Sequence, residues 1–217
     1  AYNFSVVMRD DESTKAYNEH IQFMNEIERT LPVEEARRLD IDLQKTPSAF
    51  YRTLSIAGGC DRGPKTLAWV IPNKPYDYLG REQIGFSDAL EGKQRMILEK
   101  IIEACLDPEL VSRYPEEIKN RFMALHSIRH EASHALGKQH DGYESLQDHG
   151  TSEEAKAESG GIYVTSFIAN KHPGKTDYEN MLRCMADFLI GGQIRQIRFG
   201  LGSEHARNAS LVQNTLI

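Results

Sequence analysis

The chain has 217 residues, 40% of them hydrophobic and 27% charged, with a net charge of -6. This composition suits one soluble globular domain, or one domain with a small annex, long enough to bury a real core. The acidic balance and the lack of a basic block speak against nucleic acid or an anionic membrane as partner, and no apolar run is long enough to span a bilayer.

The N-terminus, "AYNFSVVMRDDES", has neither the basic start nor the long apolar core of a signal peptide. It also lacks an initiator Met, so the chain is processed or cut from something longer. Cys60, Cys105 and Cys184 are widely spaced. That speaks for a reducing, cytoplasmic setting rather than a disulfide framework. Residues 12–31 predict a helix with Ile21, Met24 and Ile27 as a narrow apolar stripe at spacings of three. Pro32 opens a second short helix over 33–45. The Gly- and Pro-rich stretch 55–75 surrounds "TLAWVI", a predicted strand. Residues 88–106 predict a helix, with Ile97, Ile101 and Cys105 four apart. Pro115 starts a long helix over 116–136, whose core stripe is Ile118, Phe122, Leu125, Ile128, Ala132 and Leu136, and Gly137 is placed to stop it. A polar loop over 138–150 leads to a helix over 151–170 that contains Gly160 and Gly161. A last helical stretch begins near Asp177 and is broken at Gly191–Gly192 and Gly200–Gly202. The expected fold is mainly α with a small β element, in one domain: a mixed part over 1–87 and a helical core over 88–217.

The chemistry concentrates in "HEASHALGKQH", residues 130–140. His130, Glu131 and His134 spell H-E-x-x-H, and Gly137 and His140 extend it to the metzincin string. Residues four apart on a helix lie on one face about 6 Å apart along the axis, so both imidazoles can reach one zinc ion. Glu131 is off that face but near enough to handle a proton on water activated at the metal. His126 and His130 form a rival pair at the same spacing, without a Glu in the base position. Two sources can supply a third ligand. His140 would complete a metzincin-like site, which also needs a Met-turn; Met181 and Met185 sit instead in a helical pattern. The acidic stretch "SEEAKAES" places Glu154 and Glu158 on one helical face, the arrangement of a gluzincin. The plainer role of Glu153 and Glu154 is charge at a helix N-terminus, with Thr151 and Glu154 as a capping box.

Three ordered stretches carry a resemblance: "HEASHALG", then "EEAKAESGGIY", then "FLIGGQIRQIRFGLGSEHARNASLVQNTL". Together they resemble the zinc-binding region of the dipeptidyl peptidase III family. The likeness is strongest to the branch found joined to Nudix domains in plant proteins, which has H-E-x-x-H where typical members have H-E-x-x-G-H. It covers residues 120–217. The resemblance implies a helical, gluzincin-like zinc metallopeptidase domain with Zn2+ held by His130, His134 and Glu154. It makes Glu153 and Glu158 the carboxylates that fix the two imidazoles, Glu131 the general base, and His205 a group that faces substrate; Arg198 and Arg207 lie nearby in sequence. The implied substrate is a peptide, or a small-molecule amide. Two departures stand out: family members are usually much longer, with a second lobe, and "GSEHAR" replaces a more usual "EEAHGKG". A metzincin-like endopeptidase using His140 and a non-catalytic zinc-stabilised module are the alternative expectations.

Overall fold

The computed structural model describes residues 4–38, 42–45, 48–57, 68–71, 82–86, 107–112, 116–137, 149–171 and 207. The described part is mainly helical with one small sheet. Strands β1 (Phe4–Arg9), β2 (Ser48–Ala57), β3 (Ala68–Ile71) and β4 (Glu82–Phe86) form a sheet of order β1-β2-β4-β3. β2 pairs antiparallel with β1 and parallel with β4, and β3 closes the other edge antiparallel. Only β3 was expected from the sequence.

A short turn joins β1 to helix α1 (Asp11–Tyr17), and Asp10 organises it. Its carboxylate accepts from the Ser13 backbone N–H at 3.0 Å and pairs with Arg52 of β2 at 3.0 Å. One short side chain therefore caps the helix and ties it to the sheet. The single helix expected over 12–31 is divided. α1 is followed by a 3₁₀ segment, Asn18–Phe23, and then by α2 (Met24–Thr30). The three-residue spacing of Ile21, Met24 and Ile27 is the 3₁₀ period, not the α period, so the tighter helix is the one that matches the stripe at its start. The second helix, expected over 33–45, gives two 3₁₀ turns, Glu35–Arg37 and Leu43–Lys45. Tertiary bonds prevail there: Leu43 is buried and its N–H donates to Asn25 Oδ1 at 2.8 Å. A helix that short has little cooperativity to resist such contacts.

Helix α3 (Pro108–Ser112) is brief. Among the described residues the two long helices are α4 (Glu116–Ser133) and α5 (His149–Lys171). α4 lies between two apolar layers. Ala124 and Ile128 cluster with Phe50 of β2. On another side Ala132, Ala135 and Leu136 pack with Val164 and Ile168 of α5, with Met24 and Ile27 of α2, and with Leu43. The expected stripe is buried at Leu125, Ile128, Ala132 and Leu136; the side chains of Ile118 and Phe122 lie outside the described set.

Regular α-helix ends at Ser133, three residues before the expected end. The N–H groups of His134, Ala135 and Leu136 then bond to the carbonyls three residues back, at 3.3, 3.1 and 3.1 Å. Gly137 follows in the left-handed region at φ 71°, where a residue without Cβ is at no disadvantage. Its N–H donates to Glu28 Oε2 at 2.9 Å. The expected helix over 88–106, the loop with His140, and the stretch from Asp177 with Arg198 and His205 lie outside the described residues. So do Cys60, Cys105 and Cys184.

Candidate metal centre

His126, His130 and His134 recur every four residues and form one stripe along the end of α4 and into the tighter turn that follows it. α5 lies antiparallel against that stripe, because Glu158 meets His126 and His130 while Glu153 meets His134. The close approach depends on Gly160 and Gly161. A Cβ on Gly160 would fall 2.5 Å from Ser133 Cβ, and one on Gly161 would fall 3.2 Å from the His130 backbone N. A bulkier pair would hold the two helices apart at the level of the histidines.

Each ring of the H-E-x-x-H pair is held at Nδ1. His130 Nδ1 lies 3.0 Å from Glu158 Oε2, and His134 Nδ1 lies 3.0 Å from Glu153 Oε1. An ionised carboxylate only accepts, so the ring must carry its proton at Nδ1. That assignment turns the lone pair of each neutral ring to Nε2. His130 Nε2 lies 3.3 Å from Glu154 Oε2. The two rings stand 5.0 Å apart, edge to face. One ligand atom from each of His130, His134 and Glu154 lies within 4.8 Å of the other two, close enough to hold a metal ion together. Two imidazoles and one carboxylate suit zinc, and carboxylates on the outer ring nitrogens are the usual support for zinc-bound histidines. These side chains are 13–19% exposed, so the group is largely sheltered from solvent.

The electrostatics fit a cation position. Burial alone would pull the His130 imidazole down. The carboxylates of Glu154 and Glu158, together with the charge of Glu131, outweigh burial and push it up to about 10. The proton held there competes with any cation for the same lone pair. Burial would raise the Glu153 carboxyl, but the His134 hydrogen bond and Lys156 bring it down to about 2. Glu158 is likewise held well below the usual range: its burial works the other way, and His126 and His130 prevail.

The sequence-predicted residues His130, His134, Glu154, Glu153 and Glu158 are thus brought together, with Glu131 on the same helix turn. His140 and His205 lie outside the described residues. The capping-box role of Thr151 does not hold, since α5 begins two residues earlier and the Thr151 hydroxyl accepts from Arg207 Nε at 3.1 Å. The acidic stretch that carries the resemblance includes Lys156, but sequence reasoning gave it no role; its Nζ lies 2.8 Å from Glu153 Oε1 and donates to the His134 carbonyl at 3.1 Å. Nor did it anticipate that His126 approaches Glu158 Oε2, at 3.4 Å. The signal was present in the four-residue recurrence of the histidines opposite the four-residue spacing of Glu154 and Glu158.

No family model matches the chain, and no curated protein does. Among solved structures its fold is similar to dipeptidyl peptidase III from Caldithrix abyssi, with a TM-score of 0.76 and 23% identity over 99% of this chain and 42% of that one. It is also similar to dipeptidyl-peptidase III from Corallococcus sp. strain EGB, with a TM-score of 0.80 and 23% identity over 99% of this chain and 41% of that one. The fold is therefore dipeptidyl peptidase III-like, and the chain spans about two fifths of the length of these structures. No helix among the described residues is long and apolar enough to cross a membrane.

Proposed function

We propose that the chain is the metal-binding core of a zinc-dependent hydrolase. Its class is a peptidase of the dipeptidyl peptidase III type, on the Nudix-associated branch suggested by "HEASH". The observation that carries this reading is the convergence of His130, His134 and Glu154, with the outer nitrogen of each ring held by a carboxylate. His130 and His134 would hold zinc through Nε2, and Glu154 through a carboxylate oxygen.

Bound there, zinc supplies a Lewis acid that polarises a carbonyl and makes water more acidic. The chain's own groups do the rest. Glu158 and Glu153 fix the two rings, so no rotamer search precedes each turnover. The Glu131 carboxylate accepts the proton of the attacking water and returns it to the leaving amine. His205, and Arg207 beside Thr151 on the first turn of α5, would offset charge that develops on the carbonyl oxygen. The substrate is a short peptide losing dipeptides from its N-terminus, and a reducing, cytoplasmic setting suits three scattered cysteines.

Metal analysis of protein purified without chelator, joined to cleavage of a peptide library, tests the reading. Stoichiometric zinc is expected. Glu131→Gln should lose hydrolysis and keep the metal; Glu154→Ala should lose the metal, and His140→Ala should keep it. No transition metal at purification and none on titration would remove the metal centre. Metal lost with His140 instead of Glu154 would move the chain to the metzincin-like alternative.

A further inference from the structure

The structure assigns a role to His126, a residue that the ligand set leaves unused: we propose that it positions His130 by holding the Glu158 carboxylate. This rests on the metal-centre reading above. His126 lies one turn before His130 on α4, and Glu158 lies one turn after Glu154 on α5. Because the helices are antiparallel, a single carboxylate oxygen, Glu158 Oε2, faces both rings. It lies 3.0 Å from His130 Nδ1 and 3.4 Å from His126 Nε2. His126 is 12% exposed and Glu158 16%, which leaves little room for water to take over the second contact.

The other ligand ring shows the same construction. Glu153 Oε1 meets His134 Nδ1 at 3.0 Å and Lys156 Nζ at 2.8 Å. Each carboxylate that steadies a ring is itself steadied by a second group: Lys156 for Glu153, His126 for Glu158. A carboxylate with one partner can rotate about its terminal torsion, which is broad. A second partner on the same oxygen narrows that freedom and, through Nδ1, the direction of the His130 lone pair. His126 is a positioning residue and touches no ligand atom in this role.

The test compares His126→Gln, whose amide N–H reaches as far as the ring Nε2, with His126→Leu, which keeps bulk and loses the donor. The full chain is titrated with zinc against a competing chelator and with cobalt(II), whose visible bands report ligand geometry. His126→Leu should weaken zinc by about 10- to 100-fold and shift the cobalt bands, and His126→Gln should restore both. In a Glu158→Ala background, which leaves no oxygen to accept from either ring, the His126→Leu effect should vanish, because its route runs through that carboxylate. If His126→Leu does not fold, His126→Asn, too short to reach Glu158, takes its place. Unchanged zinc binding and cobalt bands in the Leu or Asn variant would overturn the proposal. So would an undiminished effect in the Glu158→Ala background, or equal losses for the Gln and Leu variants with lowered metal-free melting temperatures. Wild-type protein that binds neither ion would overturn the metal-centre reading, and this proposal with it.

Discussion

Replacing Gly160 by Ala should separate the two ligand-bearing helices. The new Cβ would stand 2.5 Å from Ser133 Cβ and 2.7 Å from Ser133 Oγ. Non-bonded carbons rest at about 3.5–4.0 Å, so one helix must retreat by about 1 Å or more at that point. Ser133 cannot swing aside, because its Cβ is fixed to α4, it is fully buried, and its hydroxyl donates to the Arg129 carbonyl at 2.7 Å. The better helix propensity of Ala is worth about 1 kcal/mol. Overpacking of this kind costs about 1–3 kcal/mol. The metal-free chain should therefore lose up to about 2 kcal/mol, or about 4–8 °C in melting temperature for a chain of this size. Metal binding should suffer more, since ligand distances tolerate only about 0.2 Å of error. A fall of about 100-fold or more in zinc affinity is expected. Thermal melts of the metal-free protein and zinc titrations measure the two effects. Ser133→Gly in the same chain removes the opposing Cβ and should recover zinc binding. A Gly160→Ala protein that melts higher than wild type and binds zinc equally well would refute the close approach of α4 and α5.

Glu28→Ala should lower stability by about 1–3 kcal/mol by leaving the Gly137 N–H without its acceptor, whereas Glu28→Gln, whose amide oxygen still accepts, should cost less; chemical denaturation measures both. His130 is raised from 6.5 to about 10, so its contribution to the metal-free fold is complete below pH 6.5 and is lost as pH climbs through about 10. Zinc must displace that proton, so apparent zinc affinity should rise with pH across the same window; a flat titration series would contradict the raised value. Glu153 is lowered from 4.5 to about 2, so its stabilisation is present above pH 4.5 and disappears as pH falls through about 2, which acid melts of wild type and Lys156→Ala should show.

The helix of the histidines was legible because Leu125, Ile128, Ala132 and Leu136 keep the α period and a glycine follows at the point of reversal. The sheet was far less so. β1 leaves Val6 and Met8 exposed, and β2 carries Arg52 and an exposed Leu54, so neither strand shows a clean alternation of apolar and polar residues. What makes them strands is their pairing with each other and with β4, which is non-local. The carboxylates around the rings were reachable through the spacing of Glu153, Glu154 and Glu158, and through the resemblance. Glu28 was not, since nothing within a short stretch of α2 says that one glutamate on it is buried against the far end of α4. The Gly160–Gly161 pair was visible as a cost inside a helix, but not the neighbour that required it.

The bond between Glu28 and Gly137 joins positions 109 residues apart. Closing a flexible loop of that size costs about 4 kcal/mol in chain entropy, several times the net worth of one hydrogen bond. It can therefore close only together with the burial of Met24 and Ile27 against Leu136, Val164 and Ile168. Assembly of the ligand-bearing end of α4 is in this way an all-or-none event shared with the first thirty residues. Transient opening of that segment would release Gly137 and take one of its anchors from the last turn, which holds His134. If His134 holds a metal ion as proposed, the lifetime of that ion follows how often the segment around Glu28 lets go.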